Sequence, residues 1–346
     1  MRIGAGRYRL VLVLLGLGLV ASIVVAVAAG AVTIPLGSTI RLFAWKLGLT
    51  DRPDVPRATE VILFQLRLPR VALAAVVGLA LAMSGAVFQG LFRNPLADPA
   101  IIGVSSGAAL GAVVVIVVGG GAVLGGLGVS AAAFAGALFT AFFVYRLARV
   151  GPTVNVATLL LAGIAVAAVI SASMSLVMSF AGEEIRSIYF WLLGGLSARG
   201  WTAVEVVGPL VALGVAGSMW LIRDLNLVAL GEERAVQLGV DVGRFKWEAV
   251  ALGALLAGAA VSVSGVIGFV GLMTPHLLRL VVGADHRRLL PAVILAGPMF
   301  LVLADLVSRV VLAPQELPLG AVTALLGGPF FLVLLRRERK GARAAA

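Results

Sequence analysis

No cysteine occurs in this chain of 346 residues, so neither a disulfide framework nor a thiolate metal site is available to it. Charge is scarce as well: charged side chains make up 12% of the residues, where an ordinary globular domain carries roughly a quarter. Acidic residues are the rarer sign, 16 against 27 basic, and histidine occurs only twice. No stretch fits the pattern G-x-x-x-x-G-K-[ST], which excludes ATP binding by a P-loop. Apolar side chains dominate instead, at 61% of the residues and a mean hydropathy of +1.11. A soluble fold of this length cannot hide so much apolar surface, so the solvent is lipid. In lipid every backbone group is paired within the protein, which leaves helices or closed barrels. The apolar runs here reach about twenty residues without period-two alternation, which excludes barrel strands of roughly ten residues. The chain is therefore expected to be an all-α, polytopic membrane bundle forming a single domain, 1–346.

Apolar spans fall at about 10–33, 61–91, 100–118, 127–148, 156–181, 202–222, 246–266, 290–313 and 319–335, with a shorter one near 272–283. That predicts about ten crossings, one of them too short to span unless it is partly re-entrant. The first run follows Arg2, Arg7 and Arg9 and is too long for a signal-peptide core of roughly 7 to 15 residues, so it reads as a retained helix. Cytoplasmic loops retain an excess of Lys and Arg. Placing both termini inside puts eighteen of the 27 basic residues on the cytoplasmic side and nine outside. The net charge of +11 is thus mostly topology, and nucleic acid is not an expected partner. An internal echo links 78–85, Gly-Leu-Ala-Leu-Ala-Met-Ser-Gly, with 258–265, Gly-Ala-Ala-Val-Ser-Val-Ser-Gly. The two copies run in opposite directions across the bilayer, as an inverted repeat would. Small-residue faces also recur because membrane helices pack through them, so both readings stand on sequence alone. The glycines at 119–121 and 125–126 lie between two spans and read as an outside turn.

Two polar segments break the apolar pattern. The stretch 89–107 reads Gln-Gly-Leu-Phe-Arg-Asn-Pro-Leu-Ala-Asp-Pro-Ala-Ile-Ile-Gly-Val-Ser-Ser-Gly, and its two prolines cannot continue a helix. It turns two spans around at the cytoplasmic surface. The largest inside loop, 223–245, carries dispersed apolar residues, and Gly231 and Gly239 bracket a short mixed-charge helix. Such a helix suits docking into another protein's groove, although a solvated connector has the same composition. His276 and His286 are the two histidines, and a metal site needs more ligands than this pair supplies, so no metal or cofactor is expected.

The 89–107 stretch, then Ala-Leu-Gly-Glu-Glu-Arg-Ala-Val-Gln-Leu-Gly-Val at 229–240, Gly-Phe-Val-Gly-Leu-Met-Thr-Pro-His-Leu-Leu-Arg at 268–279 and Glu-Leu-Pro-Leu-Gly at 316–320 occur in one order. This series resembles the FecCD family of permeases, the membrane subunits of type II ABC importers for iron-siderophores, haem and cobalamin. The similarity runs over about 67–331. It implies ten transmembrane helices per subunit in the inner membrane, and a homodimer or a pair with a paralogous permease. Two ABC ATPase subunits would sit below and a substrate-binding protein above; the chain itself would be a non-catalytic transport subunit.

The resemblance also implies roles for particular residues. Leu230, Gly231, Glu232, Glu233, Arg234, Gln237, Leu238 and Gly239 match the segment that rests on the ATPase. Arg67, Arg70 and Arg309 match outer arginines that face acidic residues of the binding protein, and bidentate pairing with carboxylates suits arginine. Asp305 lies four residues before Arg309 and reads as its structural partner. Asn155 and Val156, after Gly151-Pro152, match a cytoplasmic gate where hydroxyl residues are usual. Ser171, Ser173, Met174, Ser175 and Met178 on the fifth span would line a pathway between two copies. The expected cargo is an iron chelate, siderophore or haem, with cobalamin as the alternative; Gly-Val-Ser-Ser-Gly at 103–107 is closer to haem and cobalamin members. An ion-coupled secondary transporter would instead need charged or carbonyl-lined sites at mid-membrane, which the spans largely lack. A structural membrane scaffold would leave the ordered motifs without a reason.

Overall fold

The computed structural model describes residues 4–30, 34–120, 126–150, 153–197 and 199–345. Gly151 and Pro152 of the gate turn, and Gly121 and Gly125 of the outside turn, lie outside the described residues. Among the described residues, seven stretches are long and apolar enough to cross a bilayer. They are α1 (Ala5–Ala28), the continuous Arg57–Leu91 stretch, α6 (Gly128–Leu147), α7 (Val156–Met178), α9 (Trp201–Trp220), α12 (Val242–Ser264) and α14 (His286–Val310). Three shorter apolar helices fall at the other three expected apolar stretches: α5 (Val104–Val117), α13 (Val270–Val282) and the Leu319–Val333 part of α15 (Leu319–Ala345). Short helices α2 (Leu36–Lys46), α8 (Ile185–Leu192), α10 (Ile222–Val228) and α11 (Glu232–Gln237) lie between spans. The Arg57–Leu91 stretch is built of α3 (Arg57–Val61), a π-helical turn Ile62–Arg67 and α4 (Leu68–Leu91).

Burial ranks the spans. In their most apolar windows the Arg57–Leu91 stretch is 78% buried and α12 72%, whereas α1 is 17% and α7 only 11%. α4 and α12 are therefore the central pair, and they pack against each other. Ser84 Oγ donates to the Gly253 carbonyl at 2.7 Å across their crossing. These are the two helices that carry the internal echo, and the charge-based topology runs them in opposite directions, as an inverted repeat requires. Lipid offers no hydrophobic drive between helices, so close approach of small residues has to hold them. A Cβ on Gly85 would collide with the Gly271 backbone at the start of α13, and one on Gly107 with the Gly136 carbonyl of α6.

α13 spans 13 residues, or about 20 Å at 1.5 Å per residue, too short for a hydrocarbon core of roughly 30 Å. The chain leaves α12 at Gly265 (φ 66°) and enters α13 at Phe269 (φ 67°). Unwound backbone at this depth is tolerated only where protein surrounds it. Gly195 N–H donates to the Ser264 carbonyl at 2.7 Å, and the buried Gln89 amide donates to the Leu272 carbonyl at 3.0 Å. The 89–107 stretch thus reaches into the bundle through its first residue. Its turn is shaped by local hydrogen bonds, Asn94 Oδ1 accepting from Leu96 N–H and Asp98 Oδ1 accepting from Ala100 N–H at 2.8 Å, which caps a 3₁₀ turn Pro99–Ile102 whose Ile102 is buried in the core. Burial raises the Asp98 carboxyl above its ordinary value, against that backbone hydrogen bond. One small departure from an all-helical chain is an antiparallel hairpin, β1 (Arg149–Val150) with β2 (Thr153–Val154), pairing Arg149 with Val154.

Candidate coupling, pathway and docking sites

On the cytoplasmic side the 223–245 loop folds as two short helices, α10 and α11, hinged at Gly231, whose φ of 115° an L side chain rarely adopts. The underside of this unit is anchored, with Val228, Ala235 and Val240 buried. The outer face is free: Leu230, Val236 and Leu238 are more than half, or half, exposed, at 55%, 59% and 50%. Glu233, Arg234, Gln237 and Gly239 stand exposed beside them. The unit thus presents an exposed apolar ridge flanked by both charge signs on a backbone anchored from below.

A residue outside the expected set fastens α11 to the β-hairpin that precedes α7. Lys246, on the first turns of α12, is buried, and its Nζ donates to Glu232 Oε2 and to the Val154 carbonyl of β2, both at 2.7 Å. One ammonium group therefore ties α11, the hairpin and a central span. Its signal in sequence is slight: it is one of three lysines in an arginine-dominated chain. α10 is also fixed to α14. Asn226 Nδ2 donates to Asp285 Oδ1 at 2.8 Å, and Asn226 Oδ1 accepts from His286 N–H at 2.9 Å. Burial pushes the Asp285 carboxyl up, but hydrogen bonds from Arg287 N–H and Asn226, with the charges of Arg287 and Arg288, hold it below the usual value. The histidines sit apart, His276 within α13 and His286 at the start of α14, and no three His, Asp or Glu side chains gather as a metal site among the described residues.

Asn155 caps α7, its Oδ1 accepting from Ala157 N–H at 2.8 Å and Thr158 N–H at 3.4 Å. Val156 is the first residue of that helix and packs on the core. Higher on α7, Ser171, Met174, Ser175 and Met178 recur at i, i+3, i+4 and i+7 and so share one face. Ser171 and Ser175 are exposed, while Met174 and Met178 pack on a small cluster formed by Val113, Ala181 and Ile188. Ser175 Oγ returns to the Ser171 carbonyl, and Ser173 Oγ to Val169. A cavity of about 260 Å³ joins Ser171 and Met174 to Ser105 and Ser106 of α5. The serines of the 103–107 motif therefore reach the same face as α7, which the sequence did not reveal.

On the outer side Arg67, Arg70 and Arg309 line one open cavity of about 770 Å³ with Arg199, Ser197 and Glu316. Their guanidinium groups are not free. Arg67 and Arg309 are 7% and 5% exposed and donate to backbone carbonyls at the end of α1: Arg67 to Val27 and Ala28, Arg309 to Ala26 and Ala29. These are the orphan carbonyls every helix leaves at its C-terminus. The expected Asp305–Arg309 pair forms at 2.9 Å, and Arg70 joins it through Asp305 Oδ1 at 2.9 Å. Arg70 also holds Glu316 at 2.8 Å, and Ser197 Oγ donates to the same carboxylate at 2.6 Å. Burial raises the Glu316 carboxyl, but hydrogen bonds from Arg70 and Ser197 and the Arg70 and Arg309 charges outweigh it and keep the group below its ordinary 4.5. Arg199 makes no ion pair or hydrogen bond among the described residues, and burial lowers its guanidinium from the ordinary value. Four arginines against two carboxylates leave this outer cavity net positive.

Residues 18–337 match the FecCD transport family. The chain is 50% identical to the cobalamin import system permease of Halobacterium salinarum over 82% of its own length and 75% of the relative's. It is 44% identical to the hemin transport system permease of Yersinia pestis, over 81% of this chain and 84% of that one. Among solved structures, an inward-facing conformation of an ABC transporter assigned to the metal-chelate type superposes with a TM-score of 0.81 at 33% identity, covering 94% of this chain and 98% of the other. A secondary transporter and a structural scaffold both fall away with these matches. The chain belongs to the FecCD transport family, as a multi-pass permease subunit of an ABC import system in the cytoplasmic membrane.

Proposed function

We propose that two copies of this permease enclose a pathway for a metal tetrapyrrole, cobalamin foremost. The observation that carries the reading is α7. It holds no charged residue, only 11% of its apolar window is buried within one copy, and its polar face presents Ser171 and Ser175. A hydroxyl-bearing face left open on a membrane helix suits a second copy and a water-filled path better than lipid. A wall of hydroxyl and thioether groups without fixed charge holds a bulky ligand weakly enough to release it. The cavity shared by Ser105, Ser106, Ser171 and Met174 supports the tetrapyrrole class, because the 103–107 motif that resembles haem and cobalamin members lies on it. The identity of 50% with a permease named for cobalamin favours cobalamin, and 44% with one named for hemin makes haem the second reading.

In this scheme two ATPase subunits seat on Leu230, Glu233, Arg234, Val236, Gln237 and Leu238, and their closure displaces α11. Lys246 carries that displacement to β2, and β2 leads directly into Asn155 and the start of α7, where the gate would be. A binding protein would bring carboxylates to the net-positive outer cavity around Arg70 and Arg199, with Arg67 and Arg309 shaping it from below. The test of cargo is equilibrium binding of cobalamin, haem and a panel of ferric siderophores to the cognate binding protein. Preference for cobalamin is the expected result; preference for a siderophore would end the tetrapyrrole reading and leave the family assignment untouched.

A further inference from the structure

A pocket of about 500 Å³ opens where the cytoplasmic end of α6 meets the start of α12, lined by Phe142, Tyr145, Arg146, Arg149, Arg244 and Trp247, with Asp241 and Gly243 at its floor. Its aromatic wall is built: the Trp247 ring stands edge-on to Phe142 at 6.0 Å and to Tyr145 at 5.2 Å. The Arg146 guanidinium lies 5.9 Å over the Phe142 ring and makes no ion pair among the described residues. Arg244 is fixed by Glu248 at 2.7 Å, and Asp241 is occupied in accepting from Arg244 N–H at 3.0 Å. Three arginines line the pocket, with Asp241 the carboxylate among its lining residues. On the neighbouring face of α6, Phe139, Phe143 and Leu147 are 67%, 42% and 53% exposed and line a separate apolar cavity with Val166 and Val169 of α7. Aromatic rings with cations at this depth mark the headgroup level of the inner leaflet, and basic pockets between helices on the cytoplasmic side suit anionic lipid headgroups.

We propose that this pocket seats the phosphodiester headgroup of an anionic phospholipid, held by Arg146 and Arg149 and flanked by Trp247 and Tyr145. The site has a route to the transport machinery. Arg149 is the first residue of β1 and pairs in register with Val154, whose carbonyl accepts from Lys246, the residue that also holds Glu232. A bound headgroup restrains the same hairpin that the coupling helix moves, so lipid occupancy biases the gate. The proposal rests on the membrane orientation of the fold and not on the identity of the cargo.

The test is equilibrium binding of a fluorescent phosphatidylglycerol to the purified full chain in mixed micelles, against phosphatidylcholine and inorganic phosphate. The chain is expected to prefer phosphatidylglycerol. Removing one charge near the headgroup weakens binding about fivefold, and the double substitution R146Q/R149Q about thirtyfold. R146K/R149K, which keeps the charges, is expected to retain most of the affinity. R146Q alone removes only an exposed side chain and its ring contact, so it stays informative if the double variant does not fold. Equal binding of the two lipids, or unchanged affinity in R146Q, overturns the proposal. Displacement of the lipid by millimolar inorganic phosphate overturns it in favour of a soluble anion. Loss of ATPase assembly in R146Q/R149Q with lipid affinity intact overturns it in favour of a protein contact.

Discussion

Replacing Lys246 with methionine isolates the link between α11 and the β-hairpin, the proposed route from coupling surface to gate. Methionine keeps the apolar stem that packs at the foot of α12 and removes the ammonium group. The Val154 carbonyl, on a residue 3% exposed, then loses the Lys246 ammonium donor, at a cost of about 1–3 kcal/mol where a buried acceptor is left unsatisfied. The Lys246–Glu232 pair adds less: the Glu232 side chain is 41% exposed, and a pair open to solvent contributes about 0–1 kcal/mol. The carbonyl contact therefore dominates, and roughly 2 kcal/mol of restraint between α12 and β2 disappears. If that restraint transmits motion, it corresponds to a change of about thirtyfold in the equilibrium between coupled and uncoupled hairpin positions. The assay is uptake per ATP hydrolysed by the reconstituted complex, with thermal unfolding of the chain measured beside it. Lys246→Met is expected to keep ATP hydrolysis while uptake per ATP falls by an order of magnitude or more. Glu232→Gln, which preserves an acceptor for Lys246 and leaves the Val154 contact alone, is expected to change the ratio far less. An unchanged ratio in Lys246→Met would refute the reasoning, because the contact would then be a local tether without mechanical consequence.

Three further outcomes are expected. Glu233→Ala with Arg234→Ala removes exposed groups only, so the chain should fold as before while its ATPase no longer responds to the binding protein; retained stimulation would show that the subunits meet elsewhere. Arg67→Met strips donors from the Val27 and Ala28 carbonyls and should lower the unfolding temperature, at a cost of about 1–3 kcal/mol, whereas Arg70→Glu should weaken binding-protein docking; affinity unchanged at both low and high salt would end the docking proposal. Acid should loosen the outer network, because Glu316 holds fewer protons in the folded chain than unfolded below its ordinary value of 4.5. Stability present above that pH is lost as the pH falls, and Glu316→Gln should flatten the dependence of unfolding temperature on pH in that window.

The spans were legible because lipid solvent imposes a length and a hydrophobicity that single runs display by themselves, and basic residues record the side of each loop. The half-length α13 was visible as a short run, but the Gly265 and Phe269 bends and the Gln89 amide that stabilises them depend on contacts some 180 residues apart. The short helix α11 and its bracketing Gly231 and Gly239 were legible because charges, glycines and dispersed apolar residues are contiguous there. Lys246 could not, since its meaning lies in a carbonyl 92 residues away. The outer arginines show the opposite case. Their place at the outer ends of two spans was legible, yet Arg309 is spent on carbonyls 280 residues earlier, and no local pattern announces that a helix end needs capping by another span. Ser105 and Ser106 looked like part of a turn, and only the packing of α5 on α7 sets them beside Ser171.

The most direct test is uptake of labelled cobalamin into proteoliposomes containing this permease, its ATPase subunits and its binding protein. Accumulation that requires ATP, requires the binding protein and falls by an order of magnitude or more in Lys246→Met is the expected result. Accumulation that proceeds without ATP, or that is equal in the parent and Lys246→Met complexes, would contradict it.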